Sequence, residues 1–168
     1  MTKTQELRGE RELVRSAPNN PDAFRQLYRH YFRRVYAYIS YRVGRVQDAE
    51  DLTAETFLKA LEGLPRFRWR GKGSFAAWLF RIAHNLISNF YRAGEKVPDP
   101  IPPEMLPDLP GDAMMPGDAL ARKELLARLR RLIGALSPRQ QEIVTLRCFG
   151  GLRNKEIAAL LGLDERRV

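Results

Sequence analysis

A proline-rich acidic segment divides the chain into two cationic parts. Seven of the eleven prolines fall within residues 94–118, together with six acidic residues and one lysine. Because proline lacks a backbone donor and has a fixed φ, this segment is unsuited to helices and central strands. We therefore predict a linker of polyproline character. The organisation expected is a polar segment at 1–20, a first domain at 21–93, the linker at 94–118 and a second domain at 119–168.

The charges of the two expected domains favour a polyanionic partner, either nucleic acid or an anionic membrane surface. Residues 21–93 hold 13 basic and 6 acidic side chains, and residues 119–168 hold 11 and 5. Apolar residues make up 44% of the 168, which is enough for buried cores. The sequence has no signal peptide, no apolar run near the roughly 20 residues of a bilayer span, and one cysteine. These features predict a cytoplasmic protein without direct membrane insertion.

Apolar spacing predicts that the first domain is all-α. Apolar side chains recur at three- and four-residue steps in residues 24–39, which indicates one helix face, and Gly44 is the expected stop. A second helix is expected to end at Pro65. Its expected buried residues are Leu52, Phe57, Ala60, Leu61 and Leu64. A third helix follows, with Ser74 as its expected N-cap.

The second domain has the pattern of a helix-turn-helix. Leucines in residues 120–136 indicate one helix, and the Ser-Pro pair at 137–138 caps the next. A Gly-Gly pair at 150–151 ends that helix. Residues 155–161 form a third short helix before a glycine turn, which is the helix-turn-helix signature. Residues 165–168 would open the recognition helix, so the sequence holds only an incomplete recognition helix.

Cations alternate with aromatic rings in residues 66–75 (RFRWRGKGSF). Arg and Lys neutralise phosphates, and a flat ring can stack on an unpaired base at roughly 1–3 kcal/mol per base. Phe67 and Trp69 are the stacking candidates, while Arg81 and Asn85 on the following helix extend the polar surface. We predict a surface for single-stranded or melted nucleic acid. A solvated basic loop whose rings enter the core is the alternative.

One face of the second helix is acidic. Its members are Asp48, Glu50, Asp51 and Glu55. No His or Cys joins them, so metal binding is not expected. Because an acidic patch repels phosphate, the face suits docking of a basic protein helix better than nucleic acid.

Nothing in the sequence forms a catalytic constellation. Neither His30 nor His84 is paired with a plausible nucleophile. Cys148 lies in an apolar segment, and we expect it to be a small core residue. Residues 71–74 (GKGS) lack the spacing of a phosphate-binding loop. We therefore predict a protein that is not an enzyme and needs no metal or cofactor.

Three stretches, in this order, resemble a bacterial sigma factor of the extracytoplasmic-function (ECF) group. Residues 48–61 (DAEDLTAETFLKAL) are similar to the polymerase-docking helix of region 2, and residues 73–85 (GSFAAWLFRIAHN) to its promoter-melting loop and helix. Residues 136–144 (LSPRQQEIV) and 155–158 (KEIA) resemble region 4. The resemblance covers about residues 21–168 and implies two helical domains, one a region 2 bundle and the other a helix-turn-helix.

The resemblance also implies roles for individual residues. Asp48, Glu50, Asp51 and Glu55 would bind the clamp helices of the polymerase β′ subunit. Arg66, Phe67, Arg68, Trp69, Arg70, Lys72, Arg81 and Asn85 would bind the minus-ten element. Lys155, Arg166 and Arg167 would bind the minus-thirty-five element, although a reading helix cut at residue 168 would bind it poorly.

The implied partners are core RNA polymerase, through its β′ clamp helices and β flap, promoter DNA, and an anti-sigma protein. The expected function is therefore that of a promoter-specificity subunit in transcription initiation. A stand-alone helix-turn-helix regulator of duplex DNA is the main alternative, and it would need neither an acidic docking face nor a melting loop. A nucleic-acid enzyme and a membrane-surface protein are further alternatives.

Overall fold

Seven α-helices form the described part of the chain. The computed structural model describes residues 9–94 and 119–168, and no strand occurs within them. The helices are α1 (Glu10–Ser16), α2 (Pro21–Ser40), α3 (Val46–Gly63), α4 (Ser74–Gly94), α5 (Ala119–Gly134), α6 (Pro138–Cys148) and α7 (Asn154–Leu161). Single 3-10 turns lie at Leu64–Arg66 and Glu165–Arg167. The all-α prediction is confirmed, while the linker expected at 94–118 lies outside the described residues except for Gly94.

The first helices follow from local signals. The Asn20 side chain accepts hydrogen bonds from the backbone N–H groups of Asp22 and Ala23, and Pro21 begins α2, a strong helix start. Helix α2 ends at Ser40, so the expected stop at Gly44 was wrong by one turn. Helix α1 lies within residues 1–20, which were predicted only to be a polar segment, and it packs on α2.

Helix α3 packs against α2 and α4 through a narrow stripe of small and apolar residues. The stripe is Ala49, Leu52, Thr53, Thr56, Phe57 and Ala60. Leu61 lies at the edge of this stripe and remains 40% exposed, so its expected burial was wrong. The helix ends at Gly63, and Pro65 falls in the 3-10 turn that follows.

Helix α4 begins differently from the expectation. Ser74 is its first helical residue, and the first intrahelical bond runs from the Ala77 N–H to the Gly73 carbonyl at 2.9 Å. The Ser74 hydroxyl instead accepts a hydrogen bond from the backbone N–H of Arg70 at 3.2 Å. The predicted N-cap was therefore wrong, because this hydroxyl closes the preceding loop.

The C-terminal helices match the predicted helix-turn-helix. Ser137 and Gln140 form a reciprocal capping box at the start of α6, with Pro138 as its first residue. Gly162 ends α7 with a left-handed φ of 66°, a conformation that suits glycine. Cys148 is exposed at the end of α6, so its expected place in the core was wrong.

Helix α5 is confirmed as a helix, but it presents leucines to the solvent. Leu125 and Leu132 are 67% and 60% exposed, and Leu129 is exposed as well.

The C-terminal helices pack against the first four. Leu146, Phe149, Leu152 and Ile157 are buried within the same apolar cluster as the core of the first bundle. The rings of Tyr41 and Phe149 meet across this boundary, with their centroids 5.0 Å apart. This packing brings α7 beside α4 and places it next to the loop that precedes α4.

Candidate nucleic-acid interface

The loop between the 3-10 turn and α4 is shaped by two glycines. Gly71 and Gly73 adopt φ values of 115° and 81°, which a residue with a Cβ adopts only with strain. The Ser74 N–H bonds to the Gly71 carbonyl at 3.1 Å. Together with the bond from Arg70 to the Ser74 hydroxyl, this fixes the loop against the start of α4.

A cationic cleft of about 510 Å³ lies beside this loop. Six of the eight residues predicted to bind the minus-ten element line it: Arg66, Phe67, Arg68, Arg70, Lys72 and Arg81. Trp69 and Asn85 are not among its lining residues. From the other side, Arg153, Lys155 and Glu156 of the helix-turn-helix complete the lining. The cleft is therefore formed by two parts of the chain that were predicted to be separate domains.

The rings of the cleft are fixed by the core. Phe67 is half-buried, with its centroid 5.7 Å from that of Phe75 in a T-shaped contact and 4.9 Å from that of Trp78. Phe75 is buried, whereas Trp78 is only half-buried and reaches the cleft wall. Phe67 thus combines the two alternatives considered from the sequence, because one ring joins both the aromatic cluster and the cleft.

The predicted acidic face lies on α3 and faces the solvent. Glu50, Asp51 and Glu55 are exposed, and Asp48 is half-buried. Glu55 forms an i,i+4 ion pair with Lys59 at 3.6 Å. Such an exposed pair contributes little to stability, so the carboxylates remain suited to contact with another molecule.

The residues predicted to bind the minus-thirty-five element are divided between two places. Lys155 lines the cleft near the start of α7. Arg166 and Arg167 are exposed in the 3-10 turn at Glu165–Arg167. The Asp164 side chain accepts the Arg166 N–H at 2.9 Å and starts this turn.

The sequence analysis did not identify a group of polar residues that lies between α6 and the first four helices. The Glu142 carboxylate lies 2.7 Å from His84 Nδ1 and 3.3 Å from Arg42 Nη1. Burial alone would raise the pKa of Glu142, but the hydrogen bond from His84 and the charges of Arg42 and Arg139 lower it below its usual value. These contacts hold α6 against α4 and against the segment that follows α2.

Arg34 is the second missed residue. It occupies the apolar face of α2 and is only 8% exposed. Burial lowers the pKa of its guanidinium, although the neighbouring Tyr31 hydroxyl and the charge of Glu10 act in the opposite direction. A cation between Tyr31 and Val35 on a predicted buried face was the available signal, because a buried charge requires a partner.

Residues 9–94 and 119–168 contain neither a candidate metal site nor a candidate membrane span. No group of three or more His, Cys, Asp or Glu side chains among them could hold a metal ion. None of the described helices combines the length and apolar character needed to cross a membrane.

Comparisons with known proteins match both parts of the chain. Residues 27–97 match Sigma-70 region 2, and residues 126–168 match Sigma-70 region 4. The ECF RNA polymerase sigma factor BldN of Streptomyces coelicolor is 40% identical over 92% of this chain and 58% of its own length. The RNA polymerase sigma factor YlaC of Bacillus subtilis is 34% identical over 88% of this chain and 84% of its own length.

A solved structure resembles the chain over nearly its whole length. It is that of CnrH in complex with the cytosolic domain of CnrY. CnrH is 27% identical, and the superposition covers 95% of this chain and 86% of CnrH with a TM-score of 0.62. CnrH is an RNA polymerase sigma factor of Cupriavidus metallidurans.

Proposed function

The chain belongs to the ECF group of RNA polymerase sigma factors, and on this premise we propose that it is a promoter-specificity subunit. It binds core RNA polymerase, recognises promoter DNA and helps to melt it. It acts in the cytoplasm and is not itself an enzyme. A stand-alone duplex-DNA regulator is not favoured, because the match to region 2 lies outside the helix-turn-helix.

The cationic cleft is the observation that carries this proposal. Arg66, Arg68, Arg70 and Lys72 reach it from one loop, and Arg81 reaches it from the next helix. Beside them lie ring surfaces that are already held in place by the core. Cations for phosphates next to rings for unstacked bases suit a melted strand better than a regular duplex. Binding to such a strand offsets the few kcal/mol needed to unstack a base.

The acidic face of α3 supports the role assigned to the polymerase. Glu50, Asp51 and Glu55 are exposed on one helix, and their charge disfavours nucleic acid while favouring a basic protein surface. We assign this face to the β′ clamp helices. The helix-turn-helix, with Arg166 and Arg167, is assigned to the minus-thirty-five element and its body to the β flap.

An anti-sigma protein is the proposed inhibitor. The solved structure of CnrH contains the cytosolic domain of CnrY, and the likeness of this chain to CnrH extends over both helical units. We therefore propose that a protein with a domain comparable to the cytosolic domain of CnrY binds this chain and inhibits it.

The decisive experiment mixes the purified chain with core RNA polymerase. We expect the two to co-elute in gel filtration and the complex to open promoter DNA that neither component opens alone. Asp51→Arg should weaken co-elution while preserving the helical circular dichroism spectrum. Glu12→Arg, an equal charge reversal at an exposed position of α1, is the matched control and should co-elute normally. Unchanged co-elution of Asp51→Arg would count against the docking assignment.

A further inference from the structure

The outer side of α2 carries two parallel rows of side chains, one aromatic and one cationic. Residues four positions apart lie on one face of a helix. Tyr28, Phe32 and Tyr36 follow this spacing, and so do Arg29 and Arg33. Each arginine comes one position after a ring, so the two rows run side by side. We call these five residues the α2 surface, and none of them lines the cationic cleft.

The rings of the α2 surface are held by packing but remain partly exposed. The Phe32 and Tyr36 rings stack with an interplanar angle of 4° and centroids 5.9 Å apart. The centroid of the Tyr28 ring lies 4.7 Å from that of the buried Phe57. Tyr28 nevertheless stays 37% exposed, and Phe32 and Tyr36 are half-buried. The rings therefore keep a fixed orientation and have area left for a further stacking partner.

The arginines of the α2 surface are exposed and have no acidic partner on the described chain. Arg25, one turn earlier, pairs with Asp22 at 2.6 Å. Within residues 9–94 and 119–168, neither Arg29 nor Arg33 forms an ion pair. Like charges four positions apart destabilise a helix, so this pair opposes the stability of α2. A polyanion bound along the helix would remove that repulsion.

The part of α3 beside the first rings carries little net charge. Helices α2 and α3 are antiparallel, since the connection at 41–45 is short and Tyr28 contacts Phe57. The first half of α2 therefore lies beside residues 56–63, which hold one lysine and one glutamate. The four carboxylates of the predicted docking face lie at 48–55. Repulsion of phosphates by that face is thus weakest at the Tyr28 end of the α2 surface.

Guanidinium groups beside exposed rings are suited to a single strand of nucleic acid. Bases without a pairing partner stack on aromatic rings, while their phosphates pair with adjacent cations. In a duplex the bases stack on one another, so the rings would add little to the attraction of the two arginines. Single-stranded DNA and single-stranded RNA share the required chemistry.

We propose that the α2 surface is a second binding site for single-stranded nucleic acid, separate from the cationic cleft. Arg29 and Arg33 neutralise two phosphates, and the exposed parts of Tyr28 and Tyr36 stack on bases. The site lies outside both surfaces on which the proposed function depends, and it adds a contact that neither of them provides.

The test measures fluorescence anisotropy of a short fluorescein-labelled single strand with the full chain. Every protein compared carries Arg70→Ala and Lys72→Ala, so that binding in the cleft is weakened equally. The test variant adds Arg29→Ala and Arg33→Ala. Because two phosphates are no longer neutralised, we expect roughly tenfold weaker binding at low salt. The slope of log affinity against log salt should become shallower by about 1.4.

The matched control instead adds Arg15→Ala and Arg25→Ala, which remove the same charge from paired arginines on α1 and α2. This control should leave the salt slope unchanged. Equal slope changes in the test variant and the control would overturn the proposal. Weaker co-elution of the test variant with core polymerase, without a change in strand binding, would assign the α2 surface to a protein partner and would also overturn it.

Tyr28→Leu tests the stacking contribution, because leucine keeps apolar contact with Phe57 but has no ring. We expect roughly fivefold weaker binding of the single strand and unchanged binding of a duplex of the same sequence. Equal losses for strand and duplex, or no loss for the strand, would contradict stacking at this site. Circular dichroism shows whether the variant remains folded.

Photo-cross-linking locates the strand without any substitution, so the proposal stays testable if Tyr28→Leu unfolds. A single strand that contains 5-iodouracil is irradiated with the wild-type chain, and the cross-linked peptides are identified by mass spectrometry. We expect cross-links within residues 26–36 in addition to those in the cleft loop. Cross-links confined to residues 66–81 would overturn the proposal.

Matched DNA and RNA strands distinguish the two sources of a single strand. If the Arg29→Ala, Arg33→Ala variant loses more affinity for DNA, the site takes a melted promoter strand. If it loses more affinity for RNA, the site takes a transcript. Either result supports the site, whereas no loss with both strands refutes it.

Discussion

Single residues of the loop divide into those fixed by packing and those that extend into the cleft. Arg70 is exposed and lines the cleft, while the adjacent Trp69 is half-buried against the core. Replacing both with alanine (Trp69→Ala, Arg70→Ala) should impair strand opening more than assembly with polymerase, because neither residue lies on α3. Permanganate footprints of the melted region measure opening, and co-elution measures assembly. Unaltered footprints would refute the loop assignment.

Glu142 provides a residue-scale prediction about pH. Its pKa is lowered in the folded chain by His84, Arg42 and Arg139 despite the opposing effect of burial. A depressed carboxyl pKa stabilises the folded state above the unfolded pKa, near 4.5, and this contribution is lost as the pH falls through the folded value. Glu142→Gln should therefore lower the free energy of unfolding at pH 7 by about 1–3 kcal/mol, and the difference should shrink in acid.

Urea denaturation at neutral and acid pH checks this expectation. Glu62→Gln, at an exposed position of α3, should show no comparable difference at either pH. A Glu142→Gln deficit that persisted unchanged in strong acid would show that the carboxylate charge is not its source.

At the scale of elements, the end of α3 lies directly against α4. A Cβ on Gly63 would lie 2.8 Å from Cζ2 of the half-buried Trp78. Gly63→Ala should therefore displace the indole and reduce the free energy of unfolding by about 1–3 kcal/mol, as overpacking does. Denaturation followed by tryptophan fluorescence measures both effects. Gly134→Ala, which meets nothing within 4 Å, should be neutral or slightly stabilising, and equal destabilisation of both variants would contradict the packing argument.

The helices were predictable from the sequence because their signals are local. Helix α2 shows its apolar stripe within 20 residues, and the Ser137 cap is completed three positions later. The errors also have local causes. The Ser74 hydroxyl had two possible partners, and only the folded loop shows that the Arg70 N–H uses it. Leu61 is apolar in sequence, but the stripe of α3 is too narrow to bury it.

For the whole molecule, prediction ended where contacts became long-range. Six of the eight residues expected at the minus-ten site line one cleft, since one loop and the following helix carry them. The opposite wall, with Arg153 and Glu156, could not be anticipated, because its position depends on packing between parts of the chain that are far apart in the sequence. Arg34 lies 115 positions from Phe149, and no periodicity of either segment indicates that partner.

The last prediction distinguishes two contributions to DNA binding: the electrostatic attraction of the whole molecule and the specific contacts of the cleft. The net charge of +9 attracts any polyanion, so weak binding of DNA alone would not identify a site. Neutralised phosphates release counterions, and for single strands the slope of log affinity against log salt is about −0.7 per phosphate. Replacing Arg70 and Lys72 with alanine should make this slope shallower by about 0.7 for each phosphate that is no longer neutralised.

The matched control replaces Arg15 and Arg25 with alanine, which lowers the net charge equally. Both arginines are exposed and paired with acidic neighbours three positions away on α1 and α2. This control should reduce affinity slightly at low salt through the overall field and leave the slope unchanged, because the same phosphates stay neutralised in the cleft. Fluorescence anisotropy over a range of salt concentrations measures both quantities. Equal slope changes in the two variants would show that net charge, and not the cleft, accounts for the binding.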